Sequence, residues 1–100
     1  MESREGILVI GICDDDKSWV QTCKNTLMKF AVFINIDMEI KCFYTSKELL
    51  DYQDIPLDAV FLDIELGRQN GIMIAKKLNR IRPNCRIIYM TNYLHYATEI

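Results

Sequence analysis

Four short segments along the 100-residue chain have the hydrophobic patterns of β-strands. Residues 7–13 and 59–62 are continuous apolar runs, which is typical of strands buried on both faces of a parallel sheet. Residues 86–90, which read Arg-Ile-Ile-Tyr-Met, are also predicted to form a strand. In 38–44 the side chains of Met38, Ile40 and Cys42 alternate with those of their neighbours. This alternation predicts a strand with one more exposed face, as expected at the edge of a sheet.

Helical periodicity fills the intervals between these strands. Apolar residues recur every three to four positions from Ser18 to about Ile34, and again across 72–81. Asp15 or Asp16 is placed to cap the first of these helices. Residues 94–100 are expected to begin a further helix.

A short helix is also predicted after the second strand. Thr45 with Glu48 three residues later forms a capping-box pattern, and we expect this helix to end near Gln53. Strands and helices therefore alternate through the chain. Such alternation with short loops predicts a parallel sheet with helices on both faces, joined by right-handed crossovers. No linker interrupts the pattern, so we predict one domain over residues 1–100.

Composition excludes several classes of protein. The formal net charge is −2, and the basic residues are scattered. A nucleic-acid-binding surface is therefore not predicted for this segment. The four cysteines contain no CxxC pair, which favours free thiols in a reducing cytoplasm. We find no signal peptide and no apolar run long enough to span a membrane.

Polar residues recur where the predicted strands end. Residues 14–16 are three aspartates after the first strand, Asp63 and Glu65 follow the third strand, and Thr91 follows the fourth. In a parallel sheet these points share one edge, where ligands bind beyond the carboxyl ends of the strands. We therefore predict that these carboxylates and the hydroxyl group lie in one pocket.

Carboxylates that lie close together repel one another unless they take up protons or bind a cation. Mg²⁺ prefers oxygen ligands, and typically uses one or two carboxylates together with water and a phosphate. An aspartate beside such a cation is a recognised nucleophile for phosphoryl transfer. The hydroxyl group of Thr91 is suited to donate a hydrogen bond to a phosphoryl oxygen.

Three ordered blocks resemble the response-regulator receiver (CheY-like) domain of bacterial two-component systems. They read ILVIGICDDDKSW, DAVFLDIELGRQNGI and RIIYMTNYLHYATE. These sequences look closest to receivers of the LytR/AgrA type, which commonly precede a LytTR DNA-binding domain. The resemblance covers nearly all of the chain after residue 6. It implies a three-layer α/β/α fold of the flavodoxin type with strand order 2-1-3-4.

The resemblance also implies a role for each residue of the pocket. Asp63 matches the phosphoacceptor, and Thr91 matches the hydroxyl that senses the phosphoryl group. Asp15 would contact Mg²⁺ directly and Asp14 mainly through water, with Asp63 and the backbone carbonyl of Glu65 as further ligands. A sensor histidine kinase would supply the phosphoryl group and so switch a downstream, DNA-binding transcriptional output. The domain would be a signalling phosphoprotein, not an enzyme beyond its own phosphorylation and dephosphorylation.

The sequence also departs from the family. Receivers continue through a fourth helix, a fifth strand and a fifth helix, and the family's lysine at the end of the fifth strand has no counterpart here. We therefore expect a truncated receiver that lacks the fifth strand and fifth helix. The edge of the fourth strand and one face of the fourth helix would be uncovered. This predicts a homodimer or a higher assembly through those surfaces.

Two other functions compete with phosphoacceptance. Without the lysine, the chain would be a degenerate receiver that acts only as an interaction or dimerisation module. Alternatively, Asp63 and Glu65 loosely imitate the paired acids of a haloacid-dehalogenase-type phosphatase, although that family needs more chain and a catalytic lysine. A phosphoryl adduct on Asp63 would favour the receiver, and turnover of a phosphate ester would favour the phosphatase.

Overall fold

The computed structural model describes residues 6–65 and 70–90, and in these ranges four strands form one parallel sheet. The strand order is β2-β1-β3-β4, which confirms the predicted order 2-1-3-4. The order of elements along the chain also agrees with the prediction. The elements are β1 (Ile7–Cys13), α1 (Lys17–Phe33), β2 (Asp37–Phe43), α2 (Ser46–Asp51), β3 (Ala59–Asp63), α3 (Gly71–Ile81) and β4 (Arg86–Met90).

The main core lies between the sheet and the helices α2 and α3. Val9 and Cys13 of β1 point to this face, and Val60 and Leu62 of β3 lie beside them because the register pairs Cys13 with Leu62. The helices contribute apolar side chains at helical spacing. These are Leu49 from α2 and Ile74, Ala75 and Leu78 from α3.

Helix α1 covers the opposite face of the sheet. Side chains alternate along a strand, so the buried Ile10 and Ile12 of β1 point away from the main core. The sulfur of Cys23 in α1 lies 4.0 Å from the sulfur of Met90 in β4, which places α1 on this second face. The fold is thus a three-layer α/β/α arrangement.

Local hydrogen bonds explain where α1 begins and ends. The carboxylate of Asp16 accepts from the backbone amide of Trp19 at 3.0 Å, so Asp16, not Asp15, is the N-cap. At the other end Asn35 has a positive φ of 59°, which asparagine adopts more readily than most residues. The amide of Ile36 then reaches the carbonyl of Ala31 at 2.9 Å, and that of Asn35 reaches Val32 at 3.2 Å. This Schellman arrangement ends the helix and turns the chain into β2.

The cap of α2 agrees with the predicted pattern. The amide of Glu48 donates to the hydroxyl oxygen of Thr45 at 3.1 Å, and the Glu48 carboxylate reaches back to the amide of Tyr44 at 2.8 Å. The helix ends at Asp51, two residues before the expected Gln53. The backbone of Tyr52 is already extended, with ψ 124°, and this ends the helix.

Three sequence predictions lie outside the described residues. These are the position of Thr91, the start of a helix in 94–100 and the fourth-helix face assigned to dimer formation. Within the described ranges, no helix combines the length and apolarity needed to cross a membrane.

Candidate functional site

Three aspartates meet at the carboxyl edge of the sheet. Asp14 and Asp15 follow β1 directly, and Asp63 is the last residue of β3. Because β1 and β3 are adjacent parallel strands, their carboxyl ends lie side by side. One carboxylate oxygen from each aspartate lies within 4.8 Å of the other two. The structure therefore brings together three of the five acids that the sequence places after these two strands.

Asp14 is the buried member of this cluster, with only 7 % of its surface exposed. Its carboxylate oxygen Oδ1 accepts a hydrogen bond of 3.0 Å from the backbone amide of Asp16. Its own amide donates to the carbonyl oxygen of Phe43 at 3.1 Å, which fixes the turn after β1 against the end of β2. Burial raises the pKa of the Asp14 carboxyl to about 6, and the negative charges of Asp63 and Asp15 add to the effect.

Asp63 is half-buried and is held by the turn that follows it. Its Oδ1 atom accepts from the backbone amide of Glu65 at 3.1 Å. Burial raises the pKa of Asp63, and the nearby charges of Asp15 and Glu65 act in the same direction. The cluster thus carries unfavourable desolvation and mutual repulsion, both of which a bound cation would relieve.

Asp16 does not belong to the cluster, although it is the third acid in a row. Its carboxylate is engaged as the N-cap of α1, where it accepts from Trp19. The three consecutive aspartates therefore divide their roles. Asp14 and Asp15 form the acidic pair beside Asp63, and Asp16 starts the helix.

Gly71 contacts the backbone directly after Asp63, and the sequence reasoning did not single it out. Its amide donates to the carbonyl oxygen of Ile64 at 2.8 Å. A Cβ atom here would lie 2.8 Å from the Cα of Ile64 and would also collide with the carbonyl oxygen of Asp63. Glycine allows the first turn of α3 to approach the backbone next to Asp63. A glycine at a predicted helix start, shortly after a strand that ends in an acid, is the signal that would have identified it.

Asn70 immediately before Gly71 is a second residue that the sequence reasoning missed. Its side-chain oxygen accepts from the amide of Ile72 at 2.7 Å and so caps α3. Asparagine directly before an apolar-periodic segment is a recognised start signal. The cap and the glycine together fix where α3 begins, next to the turn that follows Asp63.

The donor set of the cluster fits a hard divalent cation. Around Mg²⁺, whose bonds to oxygen are about 2.1 Å, neighbouring oxygens lie about 3 Å apart and opposite ones about 4.2 Å apart. The three carboxylate oxygens, all within 4.8 Å of one another, lie close to this spacing, and small side-chain rotations would bring them to it. Glu65 lies in the turn after β3, two residues beyond Asp63, which is where the sequence reasoning placed a carbonyl ligand. That ligand role remains a prediction, as does the hydroxyl role of Thr91.

Several solved structures of response regulators have the same fold as this chain. TrrA from Thermotoga maritima, solved in complex with Mg²⁺-BeF, superposes with a TM-score of 0.73 at 24 % identity, over 93 % of this chain and 76 % of that one. A Burkholderia pseudomallei response regulator with a phosphorylated aspartic acid, a calcium ion and citrate gives a TM-score of 0.73 at 18 % identity, over 86 % of this chain and 48 % of that one. A CheY-like receiver from Methanospirillum hungatei matches at 24 % identity and a TM-score of 0.73, over 87 % and 66 %.

The chain spans only part of several of these proteins, including 66 % of a BeF₃-activated DrrB receiver domain. No curated protein matches it by sequence. At these identities the superpositions establish the fold alone. The family is established by the sequence model of the response regulator receiver domain, which matches residues 10–99. By its sequence and its four-stranded parallel sheet, this chain belongs to the response regulator receiver domain family.

Proposed function

We propose that the chain accepts a phosphoryl group on the carboxylate of Asp63, from the phosphohistidine of a sensor histidine kinase. The reaction depends on Mg²⁺ held by Asp14, Asp15, Asp63 and the backbone carbonyl of Glu65. The observation that supports this most directly is the set of three carboxylate oxygens within 4.8 Å of one another. Such a cluster is costly for the fold unless a cation offsets its charge.

The chemistry follows from the groups in the cluster. An oxygen of Asp63 attacks phosphorus, an oxygen–phosphorus bond forms, and the nitrogen–phosphorus bond to the donor histidine breaks. The divalent cation offsets the negative charge of the incoming phosphoryl group. The Glu65 amide, 3.1 Å from Asp63 Oδ1, holds one carboxylate oxygen in place. The other oxygen is then the one available for attack.

The output of the domain is part of the same proposal. The aspartyl phosphate adds negative charge at the carboxyl edge of the sheet, and Thr91 follows β4 directly in the sequence. The Thr91 hydroxyl hydrogen-bonds this group and changes the packing of the segment after β4. The resemblance of three sequence blocks to LytR/AgrA-type regulators supports a transcriptional, DNA-binding output. The sequence-based expectation of a homodimer or higher assembly through the β4 edge and the fourth-helix face also stays a prediction.

The direct test is phosphorylation by a small-molecule donor. The chain is incubated with acetyl phosphate and Mg²⁺, and its intact mass is measured by mass spectrometry. We expect one added phosphoryl group that is absent in Asp63→Asn and absent when EDTA replaces Mg²⁺. Asp16→Asn is the matched control, because asparagine also caps a helix and Asp16 lies outside the cluster. This variant should be phosphorylated like the wild type.

The same experiment separates the competing functions. A folded chain that gains no phosphoryl group from any donor would contradict the proposal and favour a module that acts only through binding. Continuous hydrolysis of phosphate esters would favour the phosphatase instead. A mass adduct that survives Asp63→Asn would place the acceptor elsewhere in the chain.

A further inference from the structure

We propose that the free edge of β2 binds the same edge of a second copy of this chain as an antiparallel strand pair. The pair is centred on Ile40, so that Glu39 of each copy lies opposite the partner's Lys41. Two sheets would then join into one continuous sheet across a two-fold axis. This goes beyond the phosphoacceptor function and uses a different surface of the domain. Among the described residues, β2 is an edge strand with no neighbour on its outer side.

The direction of the backbone groups in β2 follows from one hydrogen bond. The carbonyl of Phe43 accepts from the amide of Asp14, so the polar groups of Phe43 point toward β1. Along a strand these groups alternate in direction, so Lys41 and Glu39 also bond toward β1. The amides and carbonyls of the remaining residues therefore face the free edge. These residues are Met38, Ile40 and Cys42.

An antiparallel pair centred on Ile40 uses all of these free groups. Ile40 lies opposite its own copy and exchanges both backbone hydrogen bonds with it. Met38 exchanges hydrogen bonds with the partner's Cys42, and the two-fold axis repeats this pair on the other side. The contact is therefore isologous, which is the commonest symmetry for a homodimer.

Charge selects this register. Glu39 and Lys41 occupy positions that do not exchange hydrogen bonds across the axis, where opposite side chains come closest. They already form a 2.8 Å ion pair within one strand, with about a third of each side chain exposed. Pairing two copies would place these ion pairs side by side as a network of alternating charge. A lysine on an edge strand normally hinders self-association, but the glutamate two residues earlier reverses that effect here.

Neighbouring registers are less favourable. A shift toward Lys41 sets two lysines opposite each other. A shift toward Glu39 sets two glutamates opposite each other, although it also brings Lys41 opposite the partner's Asp37. The other described edge strand, β4, has Arg86 as its single charged residue, so no self-pairing of β4 places an acid opposite a base. The β2 edge is thus the self-complementary one.

The test uses the 100-residue chain and charge variants under reducing conditions. Sedimentation velocity should show a reversible dimer with a dissociation constant of about 100 µM or tighter, as for a small interface. Glu39→Lys and Lys41→Glu should each weaken the dimer by at least about tenfold. An equimolar mixture of these two variants should form a heterodimer, because the lysines of one face the glutamates of the other. The double exchange, with both substitutions in one chain, should dimerise like the wild type.

Three results would overturn the proposal. A wild-type chain that stays monomeric up to about 200 µM would remove the dimer altogether. Single variants that dimerise like the wild type would place the interface elsewhere. A mixture of variants no more associated than either alone would contradict the charge register. Asp37→Asn is the control for the shifted register and should leave the dimer unchanged, while circular dichroism confirms that every variant is folded.

Discussion

The amide of Gly71 at the start of α3 donates a hydrogen bond of 2.8 Å to the carbonyl oxygen of Ile64, directly after Asp63. A Cβ atom at Gly71 would lie only 2.8 Å from the Cα and the carbonyl oxygen of Ile64. Backbone atoms of a strand end cannot rotate aside as a flexible side chain can. The absence of a Cβ atom at Gly71 therefore allows the helix to pack against the turn that follows Asp63.

Gly71→Ala is expected to lower the free energy of unfolding by about 2–4 kcal/mol. The sign is informative, because glycine to alanine within a helix normally stabilises a protein by up to about 1 kcal/mol. The variant should also bind divalent cations more weakly, since Asp63 has to move. Urea denaturation and a cation titration measure the two effects. Met73→Ala, at a position 53 % exposed in the same helix, should change stability by less than about 0.5 kcal/mol.

The buried carboxyl of Asp14 makes the stability of the metal-free chain depend on pH. Its pKa of about 6 in the folded protein exceeds the ordinary value of 3.8, so the folded state binds this proton more tightly than the unfolded state. The contribution to the free energy of unfolding is therefore greatest below pH 4, falls as the pH rises toward 6, and levels off above that. Two pKa units correspond to at most about 3 kcal/mol.

Asp14→Asn isolates this effect because asparagine does not titrate. In EDTA, we expect the wild type to lose stability relative to Asp14→Asn as the pH rises from 4 to 7, measured by urea denaturation at each pH. Above pH 7 the variant should be the more stable protein, although it loses a metal ligand. Parallel stability profiles for the two proteins would contradict the burial of this charge.

Cation binding should show the reverse dependence on pH. A cation competes with the proton on Asp14, so affinity for Mg²⁺ should fall by up to about tenfold per pH unit below pH 6. Asp15→Asn should weaken binding at pH 7.5 by at least about tenfold, whereas Asp16→Asn should stay within about twofold. Trp19 is the single tryptophan of the chain, and its amide bonds to Asp16 beside the cluster, so its fluorescence is a convenient readout. Equal losses in the two variants would show that general charge, not the Asp15 ligand, governs binding.

The sequence was sufficient for the fold because its patterns are local and unambiguous. The run 7–13 became β1 with the predicted bounds, and α1 and β2 each began one residue earlier than expected. These shifts have a local cause, since Asp16 caps the helix and Asn35 adopts the left-handed conformation that ends it. Capping depends on which of several adjacent polar residues engages the backbone, and hydrophobic periodicity does not report that choice.

For the site, topology was the predictive element. Once two apolar runs are recognised as adjacent parallel strands, the acids after them must meet, and Asp14, Asp15 and Asp63 do. The burial of Asp14 was not predictable in this way, because it depends on how the turn after β1 bonds to Phe43. The close approach of Gly71 escaped notice for a similar reason. A contact between two backbones leaves little trace in a pattern of side chains.

Arg82 after the end of α3 fastens the loop between α2 and β3. Its guanidinium donates to the carbonyl oxygen of Tyr52 and to that of Ile55 at 3.4 Å. It also lies 5.6 Å from the centre of the Tyr52 ring, which packs against Phe43 of the core in an edge-to-face arrangement. One side chain thus donates hydrogen bonds to two carbonyl oxygens of an irregular loop and covers an aromatic ring. Both roles depend on the planar guanidinium group and not on an ion pair with a carboxylate.

Arg82→Lys should therefore lower the free energy of unfolding by about 1–2 kcal/mol, although the charge is kept. Lysine has one ammonium group in place of the planar fork, so it cannot serve both carbonyls and stack on the ring at the same time. Urea denaturation measures the loss, and near-ultraviolet circular dichroism should report a changed tyrosine environment. Arg80→Lys is the matched control on the exposed face of α3 and should change stability by less than about 0.5 kcal/mol. If both substitutions are equally mild, the positive charge alone accounts for Arg82 and the loop is held by its apolar contacts.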